Sequence, residues 1–129
     1  MKGANRLRLA PFWWAAGIAL AAIVVFESLT PSVPMPAAIS DKLAHAAGYG
    51  ALSFWFAGIL ERRRYPVLAG LLLAFGVLVE LAQHAMGLGR TAEWQDVVAN
   101  FLGIATALAL AYAGLGAWML QVERRLGLS

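Results

Sequence analysis

Polar and apolar positions divide the chain into four long apolar runs separated by short breaks. Leu9 to Phe26 is the first run free of formal charge, and Leu43 to Leu60 is the second. Tyr65 to about Met86 is the third, interrupted by Glu80 and His84, and Val97 to Val122 is the fourth. About 20 mostly apolar residues are needed for a helix to cross the roughly 30 Å hydrocarbon core of a bilayer. The runs are rich in Ala, Leu and Gly without the strict alternation of strands. Backbone groups in lipid must also pair within their own segment, which selects helices. The pattern therefore predicts an all-α, integral membrane four-helix bundle in a single domain, with helices over about 9–29, 43–60, 65–86 and 97–121.

The breaks fit this reading. Thr30–Ser40 holds Pro31, Pro34 and Pro36, which cannot continue a helix. Glu61–Arg64 is a tight basic turn, and Pro66 follows where the first turn of a helix tolerates proline. Gly87–Gln95 carries two glycines and reads as a loop. Composition agrees: 61% of the 129 residues are hydrophobic and 13% are charged, against about 25% charged in a soluble domain. With no cysteine, a disulfide scaffold, a thiolate metal site and a cysteine nucleophile are excluded.

Charge then orients the bundle. Of ten Lys and Arg residues, Lys2, Arg6, Arg8, Arg62, Arg63, Arg64, Arg124 and Arg125 fall on one side of a four-span chain; Lys42 and Arg90 fall on the other. Positive residues gather on the cytoplasmic side, so both termini are expected there. The net charge of +3 reads as topology anchoring, with no nucleic-acid partner. The first run reads as a retained span and not as a cleaved signal peptide, because no small-residue cleavage site directly follows it.

Ionisable groups inside spans are expensive and tend to mark function. Glu80 and His84 are four residues apart, with Gln83 beside them, and Glu80 lies about 22 Å up the third helix from Tyr65. Asp41, His45 and Tyr49 share the same spacing at the start of the second helix, next to Lys42. Asp96 and Asn100 share it at the start of the fourth. With Arg90 and Glu93 in the intervening loop, all these groups fall near the outer boundary of the membrane. A polar pocket open outward and closed below by apolar packing is expected, with no comparable group on the cytoplasmic side beyond the basic anchors. Asn100, Gly103, Ala107 and Gly114 form a small-residue stripe that admits a neighbouring helix.

Plainer roles exist for each residue. Asp41 and Asp96 would serve as N-caps, His45 as an interhelical hydrogen-bonding group, Tyr49 as a packing aromatic and Trp94 as an interfacial anchor. Glu93 would be a solvated loop charge, and Arg90 would pair with Glu80 or Asp96.

Three blocks of the sequence resemble the VanZ-like membrane proteins. Asp41-Lys42-Leu43-Ala44-His45-Ala46-Ala47-Gly48-Tyr49 is similar to that family's D-K-x-x-H-x-x-x-Y signature. Glu80-Leu81-Ala82-Gln83 is similar to its E-x-x-Q, and Arg90, Asp96, Asn100 and Gly103 to its R-x(5)-D-x(3)-N-x-x-G. The proline-rich approach from Ser28 to Pro36 is also similar. Ala46 departs from the larger residue common there, and His84 has no counterpart in the pattern. The resemblance implies a small multi-pass protein of a bacterial inner membrane, in a family named for a protein associated with teicoplanin resistance and without an established reaction.

The functional expectation is an outward-facing site for an amphiphilic molecule of the cell envelope: a lipid headgroup, a cell-wall precursor or a lipoglycopeptide. Its polar residues would be Asp41, Lys42, His45, Tyr49, Glu80, Gln83, His84, Arg90, Asp96 and Asn100, with Arg90 and Lys42 holding an anionic group. Two alternatives belong to other classes. One is an enzyme on a lipid-linked substrate, with His45 or Glu80 as general base and no recognisable nucleophile motif. The other is a structural or accessory subunit whose polar cluster locks the helices. No cofactor is expected. A metal is not expected either: His45, Glu80, His84 and Asp96 offer N and O ligands, but no recognised spacing supports them.

Overall fold

A computed structural model describes residues 6–30, 38–87 and 93–128. Among these the chain is all-helical. Helix α1 spans Ala10–Leu29, α2 Ala38–Ile59, α3 Tyr65–Met86, α4 Trp94–Leu110 and α5 Trp118–Arg125; a 3-10 turn at Arg62–Arg64 precedes α3, and a π-helical turn at Ala111–Leu115 follows α4. Three stretches are long and apolar enough to cross a membrane: Ala10–Leu29, Arg62–Met86 and Trp94–Leu115.

Helix α2 is the hub. It contacts α1, α3, α4 and α5, and its packing against α4 is the most extensive in the molecule. Glycine makes that pair close. A Cβ at Gly103 would lie 2.8 Å from the Ala46 carbonyl carbon and closer still to its oxygen, and one at Gly50 would lie 3.3 Å from the Gly103 oxygen. The two backbones therefore touch directly, as small residues allow between apolar helices. Helix α1 is apolar on every side and buries only Trp13 and Gly17, the pattern of a helix facing lipid. Gly17 seats α1 on α2, since a Cβ there would meet the Phe56 ring at 2.9 Å. Helix α3 starts with Pro66 in its first turn and ends at Gly87, whose φ of 59° is the left-handed C-cap. The core beneath the polar end contains Tyr49, Leu52, Leu68, Leu72, Ile104 and Leu108.

Several expectations change. Helix α2 begins at Ala38, five residues before the apolar run, because Asp41 and Lys42 are helical; α4 begins at Trp94. Residues 31–37, with the three prolines, and 88–92, with Arg90, lie outside the described residues. The fourth apolar run is not one helix. Gly114, with φ of 123°, bends the chain between α4 and α5, and a Cβ there would meet nothing. Gly114 is therefore the kink, whereas Asn100, Gly103 and Ala107 are buried on α4.

The bend returns α5 to the start of the chain. Glu123 is completely buried. Its carboxylate accepts hydrogen bonds from the backbone N–H groups of Arg8 (2.7 Å) and Leu9 (2.9 Å) and from the Trp13 indole (2.8 Å). It thus caps α1 from another helix, supplying an acceptor to N–H groups that a helix start leaves unpaired. Burial pushes the carboxyl's pKa up, but the Leu9 and Arg8 amides, the indole and the Arg8 charge outweigh it, and Glu123 is held below the usual carboxylate range. Arg62 donates to the Tyr112 carbonyl at 2.6 Å and Trp118 to the Phe54 carbonyl at 3.2 Å. The basic segments consequently share one end of the molecule. The expectation that this end holds only basic anchors is corrected by Glu123.

Candidate functional site

The first three turns of α2, the last turns of α3 and the first two turns of α4 meet at the opposite end. Asp41, Lys42, His45 and Tyr49 come from α2, Glu80 and Gln83 from α3, and Asp96 and Asn100 from α4. Lys42 is the central cation among the described residues. It pairs with buried Asp96 and with exposed Glu93 at 2.7 Å, and lies 3.5 Å from Asp41. Asp96 is therefore no N-cap. It is in the first turn of α4, the N-cap is Glu93, and no side chain caps the helix. Glu93 likewise is more than a solvated loop charge, since it shares Lys42.

His45 is almost wholly covered. Its Nδ1 lies 3.1 Å from the Asn100 side-chain oxygen. That oxygen only accepts, so Nδ1 donates in this contact and Nε2 faces the other way. Around Nε2 stand three carboxylates: Asp96 Oδ2 at 3.8 Å, Asp41 Oδ1 at 4.0 Å and Glu80 Oε1 at 4.0 Å. Glu80 is 5% exposed, and neither of its oxygens has a hydrogen-bond partner among the described residues. A buried polar group left unpaired costs on the order of 1–3 kcal/mol, and more when charged.

The surroundings hold these groups in place. Gly76 precedes Glu80 by one turn of α3, and a Cβ there would lie 2.7 Å from the Asn100 amide nitrogen and 3.2 Å from the Tyr49 ring. Tyr49 is both a core residue and a wall of the site. The Gln83 amide donates to the Ser28 carbonyl and joins α3 to the end of α1. A cavity of about 240 Å³ opens between α1 and α2, lined by Glu27, Ser28, Asp41, His45 and Tyr49 together with Val24, Ala44 and Gly48. Asp41 and His45 belong to both the cavity wall and the carboxylate cluster.

Nine of the ten sequence-selected residues lie within the described chain, and eight of them meet here. His84 does not; it is exposed. Helix phase explains the difference. Counted at about 100° per residue, Gln83 lies on the axis of the stripe that begins at Tyr65, and Glu80 lies about 60° to one side. His84 lies about 100° away, outside the inward arc. Arg90 lies outside the described residues, and Lys42 is the residue that neutralises Asp96. The sequence reading missed Gly76 and Glu123. Gly76 carried a signal, a small residue one turn before a buried acid; Glu123 looked like one more charge in a basic tail. Compared with models of protein families, with curated proteins and with solved structures, the chain matches none.

Proposed function

We propose that the protein is a multi-pass, VanZ-like four-helix protein of a bacterial inner membrane whose outward-facing pocket binds an amphiphilic molecule of the cell envelope. The cavity between α1 and α2 carries this reading, because polar and apolar side chains line it together. Such a site accepts a headgroup against Asp41, His45 and Ser28 while an acyl chain runs along Val24 and Ala44 into the bilayer. In the proposed topology α2 is the fourth span. Its 22 residues reach about 33 Å, and neighbouring helices shelter the polar groups on it. The shared end of Arg8, Arg62–Arg64, Arg124 and Arg125 would be cytoplasmic, leaving the pocket on the outer face. Candidate occupants are a lipid headgroup, a cell-wall precursor or a lipoglycopeptide.

The test is the lipid complement of the protein extracted into native nanodiscs from a bacterial envelope, compared by mass spectrometry with that of Ala44→Trp, which places a large ring in the cavity lining. One amphiphile enriched with the wild type and depleted by the substitution is the expected result. Identical profiles at equal helicity would overturn the reading.

A further inference from the structure

The functional expectation assigned Lys42 to an anionic ligand, but Lys42 is already shared among Asp96, Glu93 and Asp41. Among the described residues the cluster gathers four carboxylates, those of Asp41, Glu80, Glu93 and Asp96, around the ammonium of Lys42 and the ring of His45. One ligand atom each from Asp41, His45 and Asp96 lies within 4.8 Å of the others. Acids gathered in this way would not define a site by themselves. Glu80 adds an independent observation: it comes from a different helix, is almost fully buried without a hydrogen-bond partner among the described residues, and directs Oε1 to 4.0 Å from His45 Nε2.

From this geometry we infer that Asp41, His45, Glu80 and Asp96 form a binding site for a divalent first-row transition metal, zinc or manganese. Imidazole with carboxylates suits these ions, whereas calcium and magnesium prefer oxygen alone. His45 is prepared for the role. A metal-ligating histidine normally donates its second ring N–H to an acceptor that fixes its orientation, and Asn100 supplies that acceptor at 3.1 Å. Tetrahedral ligands at zinc stand roughly 3.4 Å apart given bonds of about 2.0–2.2 Å. The three carboxylate oxygens lie 3.8–4.0 Å from His45 Nε2, and the Asp41, His45 and Asp96 atoms lie within 4.8 Å of one another, so side-chain rotation would draw the carboxylates together around the ion. Asp96 uses Oδ1 for Lys42 and keeps Oδ2 toward His45, so the ion pair and the metal engage different oxygens. Because His45 and Asp41 also line the cavity, the ion would lie beside it and attract an anionic headgroup there. The metal site needs no particular amphiphile, so it stands or falls separately from the lipid test.

The experiment is equilibrium dialysis of the detergent-solubilised, EDTA-stripped full chain against ZnCl2, MnCl2, CaCl2 or MgCl2, with bound metal read by mass spectrometry. One zinc or manganese ion per chain is expected, held more tightly than calcium or magnesium. His45→Ala should weaken binding at least 100-fold and Glu80→Gln at least 10-fold. Asn100→Ala should cost about 10–100-fold, the usual effect of removing such a supporting partner, and Asn100→Asp, which keeps the acceptor, should restore it. His84→Ala, on the exposed face, should bind as the wild type does. Cobalt added to the stripped protein gives a second measurement: a visible d–d band present in the wild type and absent in His45→Ala of equal helicity. No stoichiometric zinc or manganese, or binding unchanged by both His45→Ala and Glu80→Gln, overturns the assignment.

Discussion

Removing the charge of Glu123 while keeping its shape tests whether a carboxylate on α5 holds the start of α1. In Glu123→Gln one oxygen can still accept from Leu9 and Trp13, but the amide NH2 replaces the oxygen that accepts from Arg8 at 2.7 Å. A donor then faces a donor. Hydrogen bonds to charged groups are worth about 1.5–3 kcal/mol each, against roughly 1 for neutral pairs. Losing one and weakening two should cost about 3 kcal/mol, roughly a hundredfold in the folded-to-unfolded ratio. The assay is SDS-driven unfolding in mixed micelles followed by tryptophan emission. Trp13, Trp55 and Trp118 form a cluster of ring pairs 5.4–5.7 Å apart, so release of α5 changes their surroundings directly. Acidity should act in the same direction. A carboxyl held below its usual range contributes stability that is fully present above about pH 4.3, its unfolded value, and is lost as pH falls through the lower folded value. The wild type should therefore lose this contribution in acid, and Glu123→Gln should lack that part of the pH dependence. An unchanged midpoint and emission maximum in Glu123→Gln would refute the reasoning.

Further substitutions test other parts of the structure by the same assay. Gly103→Ala places a methyl group against the Ala46 carbonyl and should cost about 3 kcal/mol, near the upper end for overpacking; Gly70→Ala, where a Cβ meets nothing, should be neutral or stabilising by up to about 1 kcal/mol. Lys42→Met leaves Asp96, 6% exposed at its side chain, without its cation and should cost about 2–3 kcal/mol, less than a fully buried pair because Lys42 is partly exposed; adding Asp96→Asn should recover part of it. Glu80→Leu should stabilise the metal-stripped protein by about 1–3 kcal/mol, since exchanging a buried charge for an apolar side chain is often favourable, and a loss of stability would show that Glu80 has a structural partner.

Helix type and most boundaries were legible in the sequence because the apolar runs are long and interrupted by proline, glycine and charge. The meeting of Asp41, Lys42, His45, Glu80, Asp96 and Asn100 was legible too, since alternating spans bring the start of α2, the end of α3 and the start of α4 to one level. Pairing was not. Which acid takes Lys42, and whether His84 points in or out, depends on helix phase to within about 40°, and an i,i+4 spacing leaves that much freedom. The kink at Gly114 was hidden for another reason. A glycine at positive φ and a glycine in a packing stripe look identical until a neighbour is seen beside one and open space beside the other.

The two buried glutamates show why burial alone does not separate structure from function in an apolar chain. Glu123 has three N–H donors around it, and its position is explained by what it holds together. Glu80 is nearly as inaccessible, yet both of its oxygens lack a hydrogen-bond partner among the described residues, and its near neighbours include the carboxylate of Asp96 and the ring of His45. Folding gains nothing from that placement: a leucine at the same position of α3 would fill the space without the desolvation cost. A group that is satisfied in the folded protein accounts for itself. One that is not satisfied among the described residues is open to a ligand, and the His45 Nε2 4.0 Å from Glu80 Oε1 is the reason a cation is the ligand proposed.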